Sequence, residues 1–241
     1  MFRILVRGRN CANFVSKCLS SLQKQKTGNW KAYVMLDQPT DNTVVIATQW
    51  AKQDDRIVLY ENQKCLGLCR NLWHGIETIR ADNPNNEDII CIVDGDDWLY
   101  RGALVAVSVV YKRHPECVFT YGSYVKYSKG KRTRISREYG SGANVRKCKW
   151  RASHLKTVKW RLLKHLPIDV FLDDKGNWFK AASDVAMTIP LIEMAGLKRC
   201  RHIHKILYYW RDKTDHRTHR AQQKRVVKKV RAKKSMKRIK L

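Results

Sequence analysis

Three carboxylates, Asp94, Asp96 and Asp97, fall within four residues of one another, directly after the apolar run Ile89–Val93. Like charges held that close at the end of a buried strand are costly unless something offsets them. A divalent cation would: carboxylate and water ligands suit Mg²⁺ or Mn²⁺, which commonly bridge to a diphosphate. The competing assignment is an acidic cap on a helix starting near Arg101, because carboxylates also favour helix N-termini. Asp37 follows the apolar run Ala32–Leu36 in the same manner, with Asp41 four residues on. In the second half, Ser183 and Asp184 open an apolar stretch that stops at Gly196. Asp184 there suits a general base, and the pair equally suits a helix cap.

The elements that must position these residues alternate in type. Phe2–Val6, Ala32–Leu36, Arg56–Tyr60, Ile89–Val93 and Cys117–Tyr121 read as strands. Between them Asn13–Gln25, Asn42–Lys52, Leu66–Arg80 and Arg101–Arg113 carry apolar residues at helical spacing. Strict alternation predicts βαβ units and a mostly parallel sheet, an α/β fold. Ligands of such sheets bind beyond the carboxyl ends of the strands, where the acids above fall. After Tyr124 the pattern loosens. Residues 126–150 are glycine- and cation-rich and predict a mobile loop or hairpin; Ser153–Lys164 and Ser183–Ala195 predict helices, and His204–Trp210 a strand. From Arg217 on, cations dominate, which predicts a solvated helix or a disordered tail.

Several stations resemble, in order, those of the family 2 glycosyltransferases of GT-A fold. Asn10 and Ser21-Leu22-Gln23-Lys24-Gln25 are similar to that family's opening. Asp37-Gln38-Pro39-Thr40-Asp41-Asn42-Thr43 resembles its D-x-S-x-D-x-T turn, with Pro39 in the usual Ser position. Asn62 through Gly67 to Arg70-Asn71 resembles its N-x-G-x-x-x-A-R-N segment, and Asp94-Gly95-Asp96-Asp97 its D-x-D metal signature. The resemblance covers residues 2–113 well and the remainder more loosely.

It implies a single GT-A catalytic domain over 1–215: a mostly parallel, helix-flanked sheet with a nucleotide-sugar half (1–124), a less regular acceptor half (125–215), and a basic tail (216–241). It implies a nucleotide-sugar donor, UDP-linked by default, a glycan or other hydroxyl acceptor, and Mn²⁺ or Mg²⁺. Asn10 and Gly67 would belong to the donor site. Asp37 would accept from the nucleobase, with Asp41 helping to hold that pocket, and Arg70 and Asn71 would face diphosphate or ribose. Asp94 and Asp96 would flank the metal, one of them touching ribose, with Asp97 a further ligand or a cap. Asp184 matches the family's acceptor-deprotonating carboxylate, although Ser183 replaces the usual Glu before it. A late His can complete the metal site in relatives, which marks His216 and His219, each equally a surface residue. Trp150 and His154 resemble an acceptor-side segment; Trp150 suits a sugar ring or the core. The Q-x-x-R-W motif of processive synthases is absent, so transfer of a single sugar is expected; direct displacement with inversion is the expected mechanism.

The composition adds one constraint. Lys and Arg number 49 against 21 Asp and Glu, a net +28, which predicts affinity for something anionic. An anionic membrane surface or a polyanion, reached through the tail, is the expected partner. A nucleic-acid-binding protein is the rival reading that the charge motivates, and a nucleotidyltransferase the rival that the sheet motivates. The latter calls for a glycine-rich loop after the first strand, where only Gly8 stands. Eight scattered cysteines without a C-x-x-C pair predict reduced thiols. No run reaches the ~18 apolar residues of a membrane span, so the expected location is the cytoplasm, peripheral to a membrane where the tail engages one.

Overall fold

Alternation along the first strand decides the layering. In β1 (Phe2–Gly8) Ile4 and Val6 point into one apolar layer and Leu5 into the other. The computed structural model describes residues 1–127, 136–211 and 217–241, with side chains in the last segment described from Arg220 onward. After β1 come α1 (Ala12–Gln23), β2 (Trp30–Leu36), α2 (Thr43–Gln53), β3 (Ile57–Glu61), α3 (Leu68–Ala81), β4 (Ile89–Asp94), β5 (Trp98–Leu99) and α4 (Ala103–Arg113). The second half holds β6 (Phe119–Tyr127), β7 (Ser153–Lys159), α5 (Trp160–Leu163), α6 (Ser183–Ala195), β8 (Cys200–Arg211) and α7 (Arg217–Ala232).

Among the described residues the strands form one sheet in the order β3-β2-β1-β4-β7-β6-β8-β5. The β3-β2-β1-β4 part is parallel, as the alternation predicts, and β7 then runs antiparallel to both β4 and β6. Strand β8 lies parallel to β6, and β5 pairs antiparallel with β8. One layer packs Val15, Leu19 and Leu22 of α1 and Leu104 and Val107 of α4 against Ile4, Val6 and Val34. The other sets Leu72, Ile76 and Ile79 of α3, with α6, against Leu5, Tyr33 and Met35.

Three expectations need revision. Ser153–Lys164 is not a helix: it is β7 followed by four helical residues. Lys156, Thr157, Val158 and Lys159 are buried at the centre of the sheet, and pairing with β4 and β6 outweighs any local helical spacing. The boundary between halves at residue 124 falls inside β6, so one sheet runs through both. The loop expected over 126–150 lies partly outside the described residues; its first two belong to β6. The tail is no freely solvated helix either. Val226 and Val230 of α7 are buried, Val230 at 1% exposure, and the chain beyond binds α6 through Met236 N to Glu193 and Ile239 N to Met194 O (3.0 and 3.1 Å). Among the described residues no helix is long and apolar enough to cross a membrane.

Candidate active site

The carboxyl ends of β1, β2 and β4 meet at the acids singled out above. Register sets Arg7 directly between Met35 and Asp94, and its guanidinium bonds the Asp94 carboxylate through Nη2. The same side chain donates from Nη1 to Ser183 Oγ of α6, at 2.9 Å. Arg7 is thus buried between the two halves of the chain, and the neighbouring carboxylates Asp94 and Asp184 more than offset the desolvation that opposes its charge. Gly95 makes the β4 turn feasible, because a Cβ there would lie 3.2 Å from Arg7 O and 3.1 Å from Cys11 Sγ.

The three acids of this turn have different surroundings. Asp94 is 30% exposed in its side chain. Asp96 accepts from Arg211 Nη2 at 2.9 Å. Asp97 is withdrawn into the core at 1% exposure, with Tyr208 Oη and Arg211 N each 2.7 Å from its oxygens. Burial, then Asp94 and Asp96, push the Asp97 carboxyl well above its ordinary value. Of the three acids, Asp97 is thus the one whose oxygens are engaged within the chain, where they anchor β8. The acidic-cap assignment fails too, since Gly102 precedes α4 and no side chain caps it.

Among the described residues no three acidic, His or Cys side chains group to hold a metal by themselves. Asp94 and Asp96 do suit Mg²⁺ or Mn²⁺ of the kind held by one or two carboxylates together with substrate phosphates. Their arginine partners are incompletely satisfied as well: among the described residues, Arg7 Nε and Arg211 Nε are buried without a partner. His216 and the side chain of His219 lie outside the described residues.

Asp184, on the first turn of α6, is 29% exposed and lies 3.5 Å from the buried Lys156 Nζ of β7. No side chain caps α6, whose preceding residue is Ala182, so the capping alternative for Ser183 and Asp184 is not what the geometry shows. Burial pushes Asp184 up, but the Lys156 charge, foremost among its neighbours, holds it below the usual carboxylate range. His154, two residues before Lys156, stacks on Tyr208 at 4.6 Å between centroids and meets Tyr124 edge-on. Burial and the Lys156 ammonium push its imidazole well below its ordinary value, so it is neutral at pH 7. Trp150 is half-buried against the core.

The remaining predicted residues organise the β2 side. Asp37, 5% exposed, accepts from Leu66 N, Gly67 N and Asn62 Nδ2 at 2.6, 2.8 and 3.1 Å, which pins the loop before α3. Gly67 turns that loop at φ +79°, where a side chain would be strained. Asn71 is 4% exposed and engaged at both ends, by Asn62 Nδ2 (2.8 Å) and Met35 O (3.2 Å), so it helps to hold the loop. Arg70 is exposed beside the half-buried Trp178, 6.0 Å from its ring centroid. Asn10 ties to Thr40 through three bonds of 2.7, 3.0 and 3.3 Å, and Asp41 accepts from Ala12 N, Thr43 N and the Thr43 hydroxyl. Desolvation would raise Asp41, but the Thr43 hydroxyl, with the Ala12 and Thr43 amides, outweighs it and holds the carboxyl below its ordinary value.

Sequence reasoning missed Arg7, Lys156, Tyr208 and Arg211. Arg7 had a signal: a cation closing an apolar strand is buried only when paired, and acids closed the neighbouring strands. Lys156 was hidden by the helical reading of its segment.

Comparison with known proteins bears on the family and the fold. A model of glycosyl transferase family 2 matches residues 4–172. The Bacillus subtilis (strain 168) protein EpsH, provisionally named a glycosyltransferase, is 32% identical over 97 residues, 40% of this chain and 26% of its own. The Sinorhizobium fredii protein y4gI is 26% identical over 199 residues, 80% of this chain and 20% of its own. The chain thus spans about a quarter of the first relative and a fifth of the second. Among solved structures, Staphylococcus aureus TarS residues 1–349 in complex with UDP superposes with a TM-score of 0.66 at 17% identity, covering 88% of this chain and 60% of that one. A Pyrobaculum calidifontis mannosyltransferase in complex with GDP-Man and Mn²⁺ gives 0.58 at 17%, covering 91% and 59%. These likenesses establish the fold as the α/β fold of GT-A enzymes, and the chain belongs to glycosyl transferase family 2.

Proposed function

We propose that the chain moves one sugar from a nucleoside-diphosphate donor, UDP by default, to an acceptor hydroxyl, with inversion and without processivity. The observation that carries this reading is Arg7, which bonds both Asp94 of the donor half and Ser183, the neighbour of Asp184. It brings a carboxylate suited to donor and metal and one suited to proton abstraction into a single site. Relatives of the same fold bind UDP, or GDP-Man with Mn²⁺, which supports that donor class.

Asp94 and Asp96 would hold Mg²⁺ or Mn²⁺, which when bound supplies positive charge against the departing diphosphate. Arg70, exposed at the start of α3, lies on the donor side for the same charge. Asp37 holds the 62–67 loop in shape for the base, and Asp41 with Asn10 fixes the turn beside it. Asp184, held ionised by Lys156, receives the acceptor proton as the acceptor oxygen bonds the anomeric carbon and the bond to the diphosphate oxygen breaks. His154 and Trp150 would serve the acceptor side. Nucleotidyl transfer fits less well: Gly8 is packed against Cys11 and Leu36, where a Cβ would meet Cys11 Sγ at 2.9 Å, and forms no open phosphate cradle.

Calorimetry of UDP binding tests this directly. Affinity is expected to fall about 10–100-fold when chelator replaces Mn²⁺, and Asp96→Ala to remove that dependence. Equal affinity in chelator would refute the metal-assisted donor site.

A further inference from the structure

Charge is divided unequally along the chain. Residues 1–124 hold 15 Lys and Arg against 13 Asp and Glu, a net +2. Residues 125–215 hold 22 against eight, a net +14, and residues 217–241 hold 12 cations and no acid. A donor diphosphate is itself anionic, yet the half proposed to bind it is close to neutral. The excess lies on the acceptor side.

The described structure gathers that excess around the helix carrying Asp184. Lys147 and Lys149 are exposed on the loop before β7, and Lys175 and Lys180 on the segment leading into α6. Among the described residues none of these four lies within salt-bridge distance of an acid. Helix α7 reaches both regions: Arg231 donates to Cys148 O at 2.9 Å, and Lys229 lies 3.9 Å from Asp173, two residues before Lys175. Lys224, Arg225 and Lys228 of α7 are exposed as well. Lys180 stands four residues before Asp184.

Two features of this surface discriminate between anions. A single small anion needs one or two cations, not a set spread over three elements. A lipid surface is best engaged by a basic helix with an apolar face left to insert. That face of α7 is used internally, with Val226 and Val230 buried against the domain. A flexible chain bearing repeated negative groups, by contrast, can follow cations from α7 past both loops to Asp184.

We propose that the acceptor is an anionic polymer, an acidic glycan whose charged groups rest on Lys147, Lys149, Lys180 and α7 while one of its hydroxyls reaches Asp184. This rests on the sugar-transfer reading of the same site. The test is fluorescence anisotropy with the full chain, using labelled polygalacturonate and dextran sulfate fragments, neutral maltooligosaccharide, random RNA and phosphatidylglycerol vesicles. An acidic glycan should bind, with affinity falling about 10–100-fold between about 50 and about 200 mM salt. The combined variant Lys147→Glu, Lys149→Glu, Lys180→Glu should bind it at least about tenfold more weakly while keeping native UDP affinity, which also reports intact folding. Neutral glycan bound as well as acidic, an unaffected variant, or capture of only RNA or only vesicles would overturn the proposal and leave the transferase reading standing. Failure of the native chain to bind UDP would overturn the transferase reading, and this proposal with it.

Discussion

The two halves of the molecule solve the same problem, holding carboxylates where they can act, by different means. In the first, Asp37 and Asp94 follow parallel strands, and each gains its position from the strand immediately before it. Asp37 accepts only from the loop over residues 62–67, in the same half. In the second, Asp184 gains its position from a helix, its ionisation from Lys156 on an antiparallel strand, and its link to the donor side from Arg7 at the start of the chain. Local placement holds Asp37 within the first half, whereas the turn after Asp94 is also tied to Tyr208 and Arg211 of β8. Distributed placement makes the acceptor half depend on distant cations.

This contrast can be broken experimentally, and the sharpest break is at Asp184. Asp184→Asn keeps size and hydrogen bonding but removes proton affinity, so transfer should slow about 10²–10⁴-fold while UDP affinity holds. A parallel fall in UDP affinity, measured by calorimetry, would show that the halves do not divide the work. A smaller effect tests the distributed part. Lys156→Met removes the ammonium that depresses Asp184, so the carboxyl moves upward. A base acts only when ionised, hence the acid limb of the kcat profile should shift to higher pH with little change at its plateau. An unmoved limb would remove Lys156 from the setting of Asp184. The smallest expected effect is on stability. Val230→Ala, at a position 1% exposed, should cost about 1–3 kcal/mol in denaturant titration. No loss would mean that the docked face of α7 contributes nothing to the domain.

The same contrast explains what could be read in advance. The parallel strands, their helices and the acids at their ends follow from apolar runs of five residues and the polar residues that stop them. Ser153–Lys164 misled because Leu155, Leu162 and Leu163 suit a helix face, while Thr157 and Val158, a β-branched pair, were the signal for the strand found there. Asn71 was placed at a ligand by its neighbourhood in a motif, and only the bonds to Asn62 and Met35 show it serving the loop. Tyr208 and Arg211 could not be foreseen. Their partner Asp97 is 111 and 114 residues away, and no local pattern encodes a pairing at that range.

That separation sets an order of events during synthesis. Domains assemble from the N-terminus as the chain leaves the ribosome, and the β3-β2-β1-β4 part of the sheet is complete in sequence by Asp94. Asp97 cannot enter the core at that stage, because the hydroxyl and amide that receive it have not yet been made. The acidic turn stays hydrated and unshaped until β8 emerges and docks. The two ends of the fold are therefore finished at different times: a ribosome stalled before residue 211 carries a complete parallel sheet with an unfinished acidic turn.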